Sequence, residues 1–366
     1  MKILYATGLS PNDTSLYRLW ALERLGHQVI PFNVFDYESS NPILRKVNQR
    51  LVIGPSVARL NRELIQVAQA EKPDLLWTDK LLYIRPATLD RMRAINIVTV
   101  SYMIDNPFGT RQDPGWRMYM KDIPHYDLHV VQRDKNILDY KSRGARDVIK
   151  IQTAYEPTLQ FPPPEGWSDA DRNREVSFIG TPYDDRAQTL TRLWRECGFS
   201  VVISGNPRQW GRAMEPSAYK ALFNGGELFR DEYREGIWKS KINLSFITHS
   251  NCDEFVHKSF EIAGCGGFLL AERSDGHMQR FKEDEEAVFF TGFEELAAKI
   301  RRYLPDEAAR QRIAAAGCIR AARDGYYNDR QVELIVERAQ SILEKIKEKI
   351  KEKIKPSART AHAGSR

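Results

Sequence analysis

Residues 2–32 read KILYATGLSPNDTSLYRLWALERLGHQVIPF. A short apolar run, Lys2–Ala6, precedes a loop and then a segment at about Thr14–Leu25 in which apolar side chains recur at helical spacing. Gly26 follows this segment, as glycine commonly follows a helix, and a second apolar run occupies Gln28–Phe32. This order predicts a strand, a helix and a second strand that runs parallel to the first.

The same alternation of short apolar runs and helical patterns continues along the chain in two series. In the first series we predict further strands at Asp74–Thr78, Ile97–Met103, Leu128–Gln132 and Val148–Ile151, and helices near 56–71, 86–94 and 134–143. In the second series we predict strands at Val176–Ile179, Ser200–Ser204, Ile242–Phe246, Gly267–Ala271 and Ala287–Phe290, and helices near 184–197, 293–304, 306–316 and from 329 onward. The alternation is typical of α/β proteins and predicts two Rossmann-like, doubly wound domains.

A polar stretch at residues 156–173, which contains four prolines, separates the two series and is predicted to be a linker. The predicted divisions are a first domain at 1–155, this linker, a second domain at 174–330, a C-terminal helix at 331–355 and a disordered tail at 356–366. Open parallel sheets bind ligands at the carboxyl ends of their strands. We therefore expect both sheets to face one shared cleft.

Composition and charge exclude several classes of function. The chain has 366 residues, 42% of them hydrophobic, and its four cysteines are far apart, which favours a reducing, cytoplasmic setting. The histidines show no metal-binding spacing, so we expect no metal and no other cofactor. The net charge of +6 resides in residues 345–366, and the remaining 344 residues carry 47 basic and 47 acidic side chains. A charge-balanced body makes nucleic acid an unfavoured partner.

The basic segment at residues 344–355 reads EKIKEKIKEKIK. Its isoleucines recur every four residues, so that a helix would carry them in a narrow apolar column. One interpretation is a solvated helix end. The other is a basic amphipathic surface that contacts anionic lipid or a partner, which would place the protein peripherally at the inner face of a membrane.

The candidate site lies in NCDEFVHKSFEIAGCGGFLLAE, residues 251–272. Two acids, Asp253 and Glu261, stand eight positions apart around the predicted start of a short helix, and Lys258 falls in its first turn. The N-terminus of a helix and a lysine both favour a bound phosphate. A carboxylate one turn later, at Glu261, could accept hydrogen bonds from the hydroxyls of a ribose. The segment therefore predicts a nucleotide site.

This stretch resembles the second domain of GT-B glycosyltransferases, in which two acids eight positions apart precede small residues and an apolar strand. The resemblance implies that Asp253, in place of the usual first Glu, meets the donor sugar and that Glu261 holds the ribose. SFIGTPYDDR, at residues 177–186, resembles the opening of the same domain. There, Gly180 would end the strand and Arg186 would take the position of a lysine that binds pyrophosphate.

A closer resemblance is to the spore-coat CgeB-like subgroup of group 1 glycosyl transferases. It rests on Asp105–Phe108, the strand beginning at Asp127, Phe178–Gly180 and Lys258–Glu261, in that order and at that spacing. The resemblance implies transfer of a sugar from a nucleotide-diphosphate donor to an acceptor hydroxyl, and the pattern resembles that of retaining members. Because the sequence has no credible Asp-x-Asp motif or His cluster, we expect this transfer to need no metal. It leaves the acceptor unknown: a glycan, a protein or a small molecule.

Three further positions are candidates because each follows a predicted strand. Asp105 could position or deprotonate an acceptor hydroxyl, although an Asp before Asn-Pro also commonly caps a turn. Gly8 could let the backbone approach the acceptor, and Gly205 could let a nucleotide base approach. For both glycines an ordinary turn is the alternative.

The sequence also bears on several alternative functions. Asp169–Asp171 has the Asp-x-Asp form of metal-dependent transferases, but it lies in the predicted linker and is interpreted as chance. No Gly-x-Gly-x-x-Gly opens either domain, which disfavours a nicotinamide dehydrogenase. A sugar-nucleotide epimerase of the same fold and a non-catalytic sugar-nucleotide-binding protein remain as alternatives.

Overall fold

The computed structural model describes residues 1–109 and 115–354. Two parallel β-sheets form its framework, one from each half of the chain. The tail predicted at 356–366 lies outside the described residues. No helix within the described ranges is long and apolar enough to cross a bilayer.

The first sheet has six strands in the order β2-β1-β3-β4-β5-β6, all parallel. Its strands are β1 (Lys2–Thr7), β2 (Gln28–Asn33), β3 (Leu75–Asp79), β4 (Val98–Tyr102), β5 (Leu128–Val131) and β6 (Val148–Lys150). The helices between them are α1 (Thr14–Arg24), α2 (Pro42–Leu51), α3 (Pro55–Glu71), α4 (Pro86–Ala94), α5 (Trp116–Asp122) and α6 (Asp134–Ser142).

The second sheet has five parallel strands in the order β11-β10-β9-β7-β8. Its strands are β7 (Arg174–Ile179), β8 (Val201–Ser204), β9 (Ser240–Ser245), β10 (Leu269–Glu272) and β11 (Val288–Phe290). The helices of this half are α7 (Arg186–Arg195), α8 (Pro207–Ala213), α9 (Pro216–Leu222), α10 (Arg230–Trp238), α11 (His257–Gly264), α12 (Asp275–Met278), α13 (Gly292–Tyr303), α14 (Glu307–Arg323) and α15 (Asn328–Ile354).

The central strands of both sheets are buried on both faces, because helices cover each sheet on two sides. Every β3 and β4 residue is buried, including the polar side chains of Thr78 and Asp79 in β3 and of Thr99 and Ser101 in β4. The predicted α/β class with two Rossmann-like domains is confirmed. Six helices of the described residues had no counterpart among the predicted segments: α2, α5, α8, α9, α10 and α12.

The C-terminal helix α15 belongs to the core of the first half. Val332, Ile335 and Leu343 pack into the same cluster as the strands β1, β3 and β4. The predicted basic tail is partly included, since Ile346 is half-buried against this core and Lys347 lies 3.8 Å from Asp74. The first turn of the basic tail therefore contacts the first half of the chain, and the interpretation of the whole tail as a solvated helix end is wrong for that turn.

Asp122, at the end of α5, is a buried acid that lowers stability at neutral pH. Its Oδ2 has no hydrogen-bond partner among the described residues, and burial raises its pKa to about 8. The unfolded chain releases this proton near pH 4. Between about pH 4 and pH 8 the folded state therefore holds a proton that the unfolded state does not, and the free energy of unfolding falls as pH rises.

We expect Asp122→Asn to raise the free energy of unfolding at pH 7.5 by about 1–3 kcal/mol, because the neutral amide can be buried without the proton uptake that the carboxyl needs. The gain should shrink as pH falls toward 4. Denaturant unfolding at several pH values measures it, with Asp185→Asn, at an exposed carboxylate, as the control. Equal pH dependence of Asp122→Asn and the parent would contradict this account of the buried carboxyl.

Candidate active site

A cavity of about 620 Å³ opens between the two sheets. This volume falls in the range of small-molecule sites. Both halves of the chain contribute to its wall. From the first half come Thr14, Arg18, Lys80, Asp105 and Gln132, and from the second Gly180, Arg186, Asp253, Lys258 and Glu261. The shared cleft predicted from the sequence is present, and it contains six of the eight predicted site residues.

Glu261, in the second turn of α11, is a buried and ionised carboxylate on the cavity wall. Its side chain is 11% exposed. The Tyr233 hydroxyl, from α10, donates to its Oε2 at 2.5 Å, and His257 Nε2 lies 3.1 Å from its Oε1. Burial alone would raise its pKa, but His257, Lys258 and the Tyr233 hydrogen bond lower that pKa to about 2. The group is thus a pure hydrogen-bond acceptor at neutral pH.

Lys258, one turn earlier, is connected to Glu261 through the same tyrosine. Its Nζ donates to the Tyr233 hydroxyl at 3.1 Å and lies 5.0 Å from the centre of that ring. Burial lowers the pKa of Lys258, Glu261 opposes this shift, and Arg186 adds to it. Gly180 leaves room for the lysine stem, because a Cβ at that position would lie 3.3 Å from Lys258 Cε.

The start of α11 offers donors beside this lysine. Val256, the residue before the helix, makes no side-chain cap in the described structure, and it lines the cavity with His257 and Lys258. The backbone N–H groups of a first helical turn have no partners within the helix, and they carry partial positive charge. The combination of this helix start with an ammonium group and a carboxylate suits a ligand that has both an anionic and a polyhydroxylated part.

Arg186 lies at the cavity wall, but its guanidinium is largely occupied by the protein itself. It donates to the carbonyl oxygens of Thr181, Phe246 and Ile247 and to the Thr248 hydroxyl, at 3.0–3.2 Å. These contacts tie the loop after β7 to the loop after β9. Binding of pyrophosphate by Arg186 stays a prediction, and the structure gives this residue a positioning role in addition.

Asp253 joins the two halves of the chain across the cleft. Its carboxylate forms an ion pair with Arg133, which precedes α6, and accepts a hydrogen bond from Asn251 Nδ2 at 2.9 Å. Burial raises the pKa of Asp253, and the charge of Arg133 opposes that shift. Arg133 Nε also donates to the Cys252 carbonyl at 3.2 Å. The loop that carries Asp253 is thus held by the first half of the chain.

Asp105 faces the cavity from the first sheet, on the loop after β4. Its side chain is 12% exposed, and its Oδ2 lies 2.6 Å from Lys80 Nζ. A second ion pair lies nearby in the same half, where Arg18 Nε is 2.5 Å from Asp79 Oδ2. This wall therefore combines charged groups whose charges balance, and it suits a hydroxyl-bearing ligand.

Gly8 and Gly205 do not belong to the described cavity wall. A Cβ on Gly8 would lie 2.4 Å from Phe35 Cζ, and a Cβ on Gly205 would lie 2.2 Å from the Gly180 carbonyl oxygen. Both glycines therefore allow the protein to pack closely against itself. The proposed approach of an acceptor at Gly8 and of a base at Gly205 has no support in this geometry.

The Asp-x-Asp sequence at 169–171 forms a short 3-10 helix away from the cavity. Asp169 is paired with Arg310 at 2.5 Å and with Lys241 at 3.4 Å, so its carboxylate stabilises the fold locally. In residues 1–109 and 115–354 no group of three or more His, Cys, Asp or Glu side chains is placed to hold a metal ion.

Sequence reasoning missed Lys80, which lines this cavity, and also Tyr233 and Arg133, which contact the wall residues Glu261 and Asp253. Tyr233 lies on α10, in a stretch whose helices were not predicted. Arg133 and Lys80 each stand just past a buried strand, and this placement was the available signal for them.

Comparisons with known proteins agree with this architecture. Residues 186–337 match the profile of a family described as glycosyl transferase-like. No curated protein sequence matches the chain.

Among solved structures, the fold is similar to that of HepE from Anabaena in complex with UDP-glucose, with a TM-score of 0.64 at 15% identity, over 93% of this chain and 100% of that one. It is also similar to a glycosyltransferase from Rickettsia africae (TM-score 0.64, 12% identity, 93% and 98% covered). A third is the sucrose-phosphate synthase from Thermosynechococcus elongatus (TM-score 0.62, 10% identity, 93% and 99% covered). The chain thus has the GT-B fold, and its second half matches the glycosyl transferase-like family.

Proposed function

We propose that the protein is a glycosyltransferase that moves a sugar from a nucleoside-diphosphate donor to an acceptor hydroxyl. The observation that carries the proposal is the buried, ionised Glu261, which Tyr233 connects to Lys258 beside the uncapped start of α11. This arrangement offers an acceptor for ribose hydroxyls and, within one helical turn, a cation and backbone donors for the diphosphate. UDP-sugars are the first donors to test, because HepE of similar fold binds UDP-glucose.

In the proposed reaction the acceptor oxygen bonds to the anomeric carbon of the sugar, and the bond between that carbon and the diphosphate oxygen breaks. Lys258 and the start of α11 stabilise the negative charge that builds on the leaving diphosphate. Asp105, on the opposite wall, positions the acceptor hydroxyl. For a retaining outcome, the acceptor oxygen approaches the anomeric carbon from the face that the diphosphate leaves, and an oxygen of the departing diphosphate takes the acceptor proton. The Arg133–Asp253 ion pair holds the two walls together and helps to exclude water.

The stereochemistry, the transferred sugar and the cellular setting are further parts of the proposed function. We propose a retaining outcome and transfer of a hexose or a related sugar, and the CgeB-like resemblance stays a prediction. The four cysteines are free, and this supports a reducing, cytoplasmic setting. Contact of the basic tail with a membrane is a further hypothesis.

A panel of nucleoside-diphosphate sugars tests the function. Thermal shift should identify the donor, and slow release of free sugar and nucleoside diphosphate should accompany its binding. Conversion of the donor into an isomeric nucleotide sugar would identify an epimerase instead. Binding without turnover, in the presence of a broad set of acceptor sugars, would identify a non-catalytic binding protein, and no binding of any donor would overturn the proposal.

Turnover should not require a divalent metal, because the cation beside the proposed diphosphate site is Lys258. We expect donor hydrolysis or transfer to continue at an unchanged rate in EDTA. Complete loss of activity that manganese or magnesium restores would contradict this prediction. Sodium chloride at matched ionic strength, without EDTA, controls for a simple ionic-strength effect.

A further inference from the structure

The helix α2 exposes an apolar face. Ile43 is 73% exposed, Leu44 54%, Val47 40%, Leu51 51% and Ile53, just after the helix, 50%. We call these five side chains the α2 apolar face. The four that lie within α2 fall on an arc of about 100°, as helical geometry requires for one continuous stripe. None of the five belongs to a hydrophobic cluster of the described structure, so the stripe faces solvent.

The helix is capped at its start and anchored in the domain at its end, and the exposed face is therefore a formed surface. Asn41 caps the start, where its Oδ1 accepts hydrogen bonds from the backbone N–H groups of Ile43 and Leu44 at 2.9 and 3.3 Å. Val52 follows the helix and is buried, with 4% of its surface exposed. This buried residue stands between Leu51 and Ile53, both of which point outward.

The charge around the stripe is positive. Residues 36–63 contain five Lys or Arg and three Asp or Glu, a net charge of +2, and Arg59 and Arg62 lie 3.9 and 3.8 Å from Glu63. Arg45 and Lys46 are exposed on α2 itself, and Arg45 lies 3.7 Å from Glu38. An apolar stripe with basic residues beside it is typical of helices that lie in the surface of an anionic bilayer. A partner protein would equally meet the apolar face, but the excess of positive charge favours acidic lipid.

We propose that the protein docks on an anionic membrane surface through the α2 apolar face. Five side chains offer less area than a stable homodimer usually buries, which disfavours self-association. The basic C-terminal segment is a weaker candidate, because Ile346 is already packed against the core. The two surfaces also lie at opposite edges of the first sheet: α2 follows the carboxyl end of β2, whereas Lys345 and Lys349 line a cavity with Asp127 and Asp147, which precede β5 and β6.

The double variant Ile43→Ser/Leu44→Ser tests the proposal against a matched control. Leu138→Ser/Ile319→Ser changes two equally exposed apolar side chains elsewhere, 72% and 66% exposed. Co-sedimentation is measured with vesicles of phosphatidylglycerol and phosphatidylcholine, and with phosphatidylcholine alone. We expect the parent and the control to bind the anionic vesicles, more weakly at high salt. The Ile43→Ser/Leu44→Ser protein should bind about tenfold more weakly or worse.

Three results would overturn the proposal. The first is a parent protein that does not bind anionic vesicles, and the second is undiminished binding by Ile43→Ser/Leu44→Ser. The third is loss of vesicle binding in Lys345→Ala/Lys349→Ala alone, which would assign the contact to the C-terminal helix. A dimer in solution that Ile43→Ser/Leu44→Ser dissociates, without vesicle binding by the parent, would likewise identify a self-association surface. Thermal unfolding verifies that each variant is folded, and the vesicle measurement needs no donor, so its failure is distinct from failure of the proposed function.

Discussion

Glu261→Ala should weaken the affinity for a nucleoside diphosphate by about 10- to 100-fold, because a carboxylate that accepts two hydrogen bonds contributes roughly 1.5–3 kcal/mol. The affinity for the free nucleoside should fall by a similar factor, since the lost contacts are to the ribose. Glu261→Gln, which keeps the shape but not the charge, should show an intermediate loss. Calorimetric titration with the nucleoside and with the nucleoside diphosphate measures both effects.

Two further variants separate the components of this site. Lys258→Ala should weaken binding of the diphosphate but leave binding of the free nucleoside nearly unchanged. Glu235→Ala, at a more exposed carboxylate on α10 that pairs with Lys239, serves as the control and should bind both ligands like the parent. If folded Glu261→Ala binds both ligands as tightly as the parent, then the ribose is held elsewhere.

Arg186→Ala should lower the free energy of unfolding by about 3–5 kcal/mol, because it leaves several buried carbonyl oxygens without their donor. Arg186 is 6% exposed, and its guanidinium donates to three carbonyls and one hydroxyl in two loops. Arg186→Lys should restore little, since one ammonium group cannot reproduce the fork of donors. Denaturant unfolding monitored by circular dichroism measures the loss.

The control for this prediction is Arg192→Ala, one and a half turns along the same helix. Arg192 is 44% exposed and pairs with Glu196 on the surface, so its removal should leave the unfolding midpoint unchanged. Equal midpoints for Arg186→Ala and Arg192→Ala would show that the buried contacts of Arg186 do not support the loops after β7 and β9.

Much of the framework could be predicted because its signals are local. Strands such as Leu75–Asp79 and Val98–Tyr102 are buried on both faces and are therefore rich in apolar residues. The start of α11 at His257 was foreseen approximately, since Lys258 and Glu261 alternate with apolar residues at helical spacing. The cavity itself followed from the rule that parallel sheets bind ligands at the carboxyl ends of their strands.

The remaining features depend on contacts between distant residues. Arg133 and Asp253 are 120 positions apart, and the sequence around either residue does not indicate that the two form a pair. The hydrogen bonds that connect Tyr233 to Glu261 and Lys258 could be predicted only if α10 were predicted first. The short amphipathic pattern of α10 lies in the polar stretch from 207 to 238. We predicted that Gly205 could let a nucleotide base approach. The tertiary structure shows instead that the Gly180 carbonyl oxygen lies too close to Gly205 for a side chain at that position. The burial of α15 on the first half likewise depends on the tertiary fold.

A crystal structure of the parent protein soaked with a nucleoside diphosphate tests the central claim most directly. The account predicts that both ribose hydroxyls lie within hydrogen-bond distance of the Glu261 carboxylate. It also predicts that the diphosphate lies against Lys258 and the first backbone N–H groups of α11. A nucleotide bound in the cavity with its ribose away from Glu261, or bound outside the cavity altogether, would contradict the account.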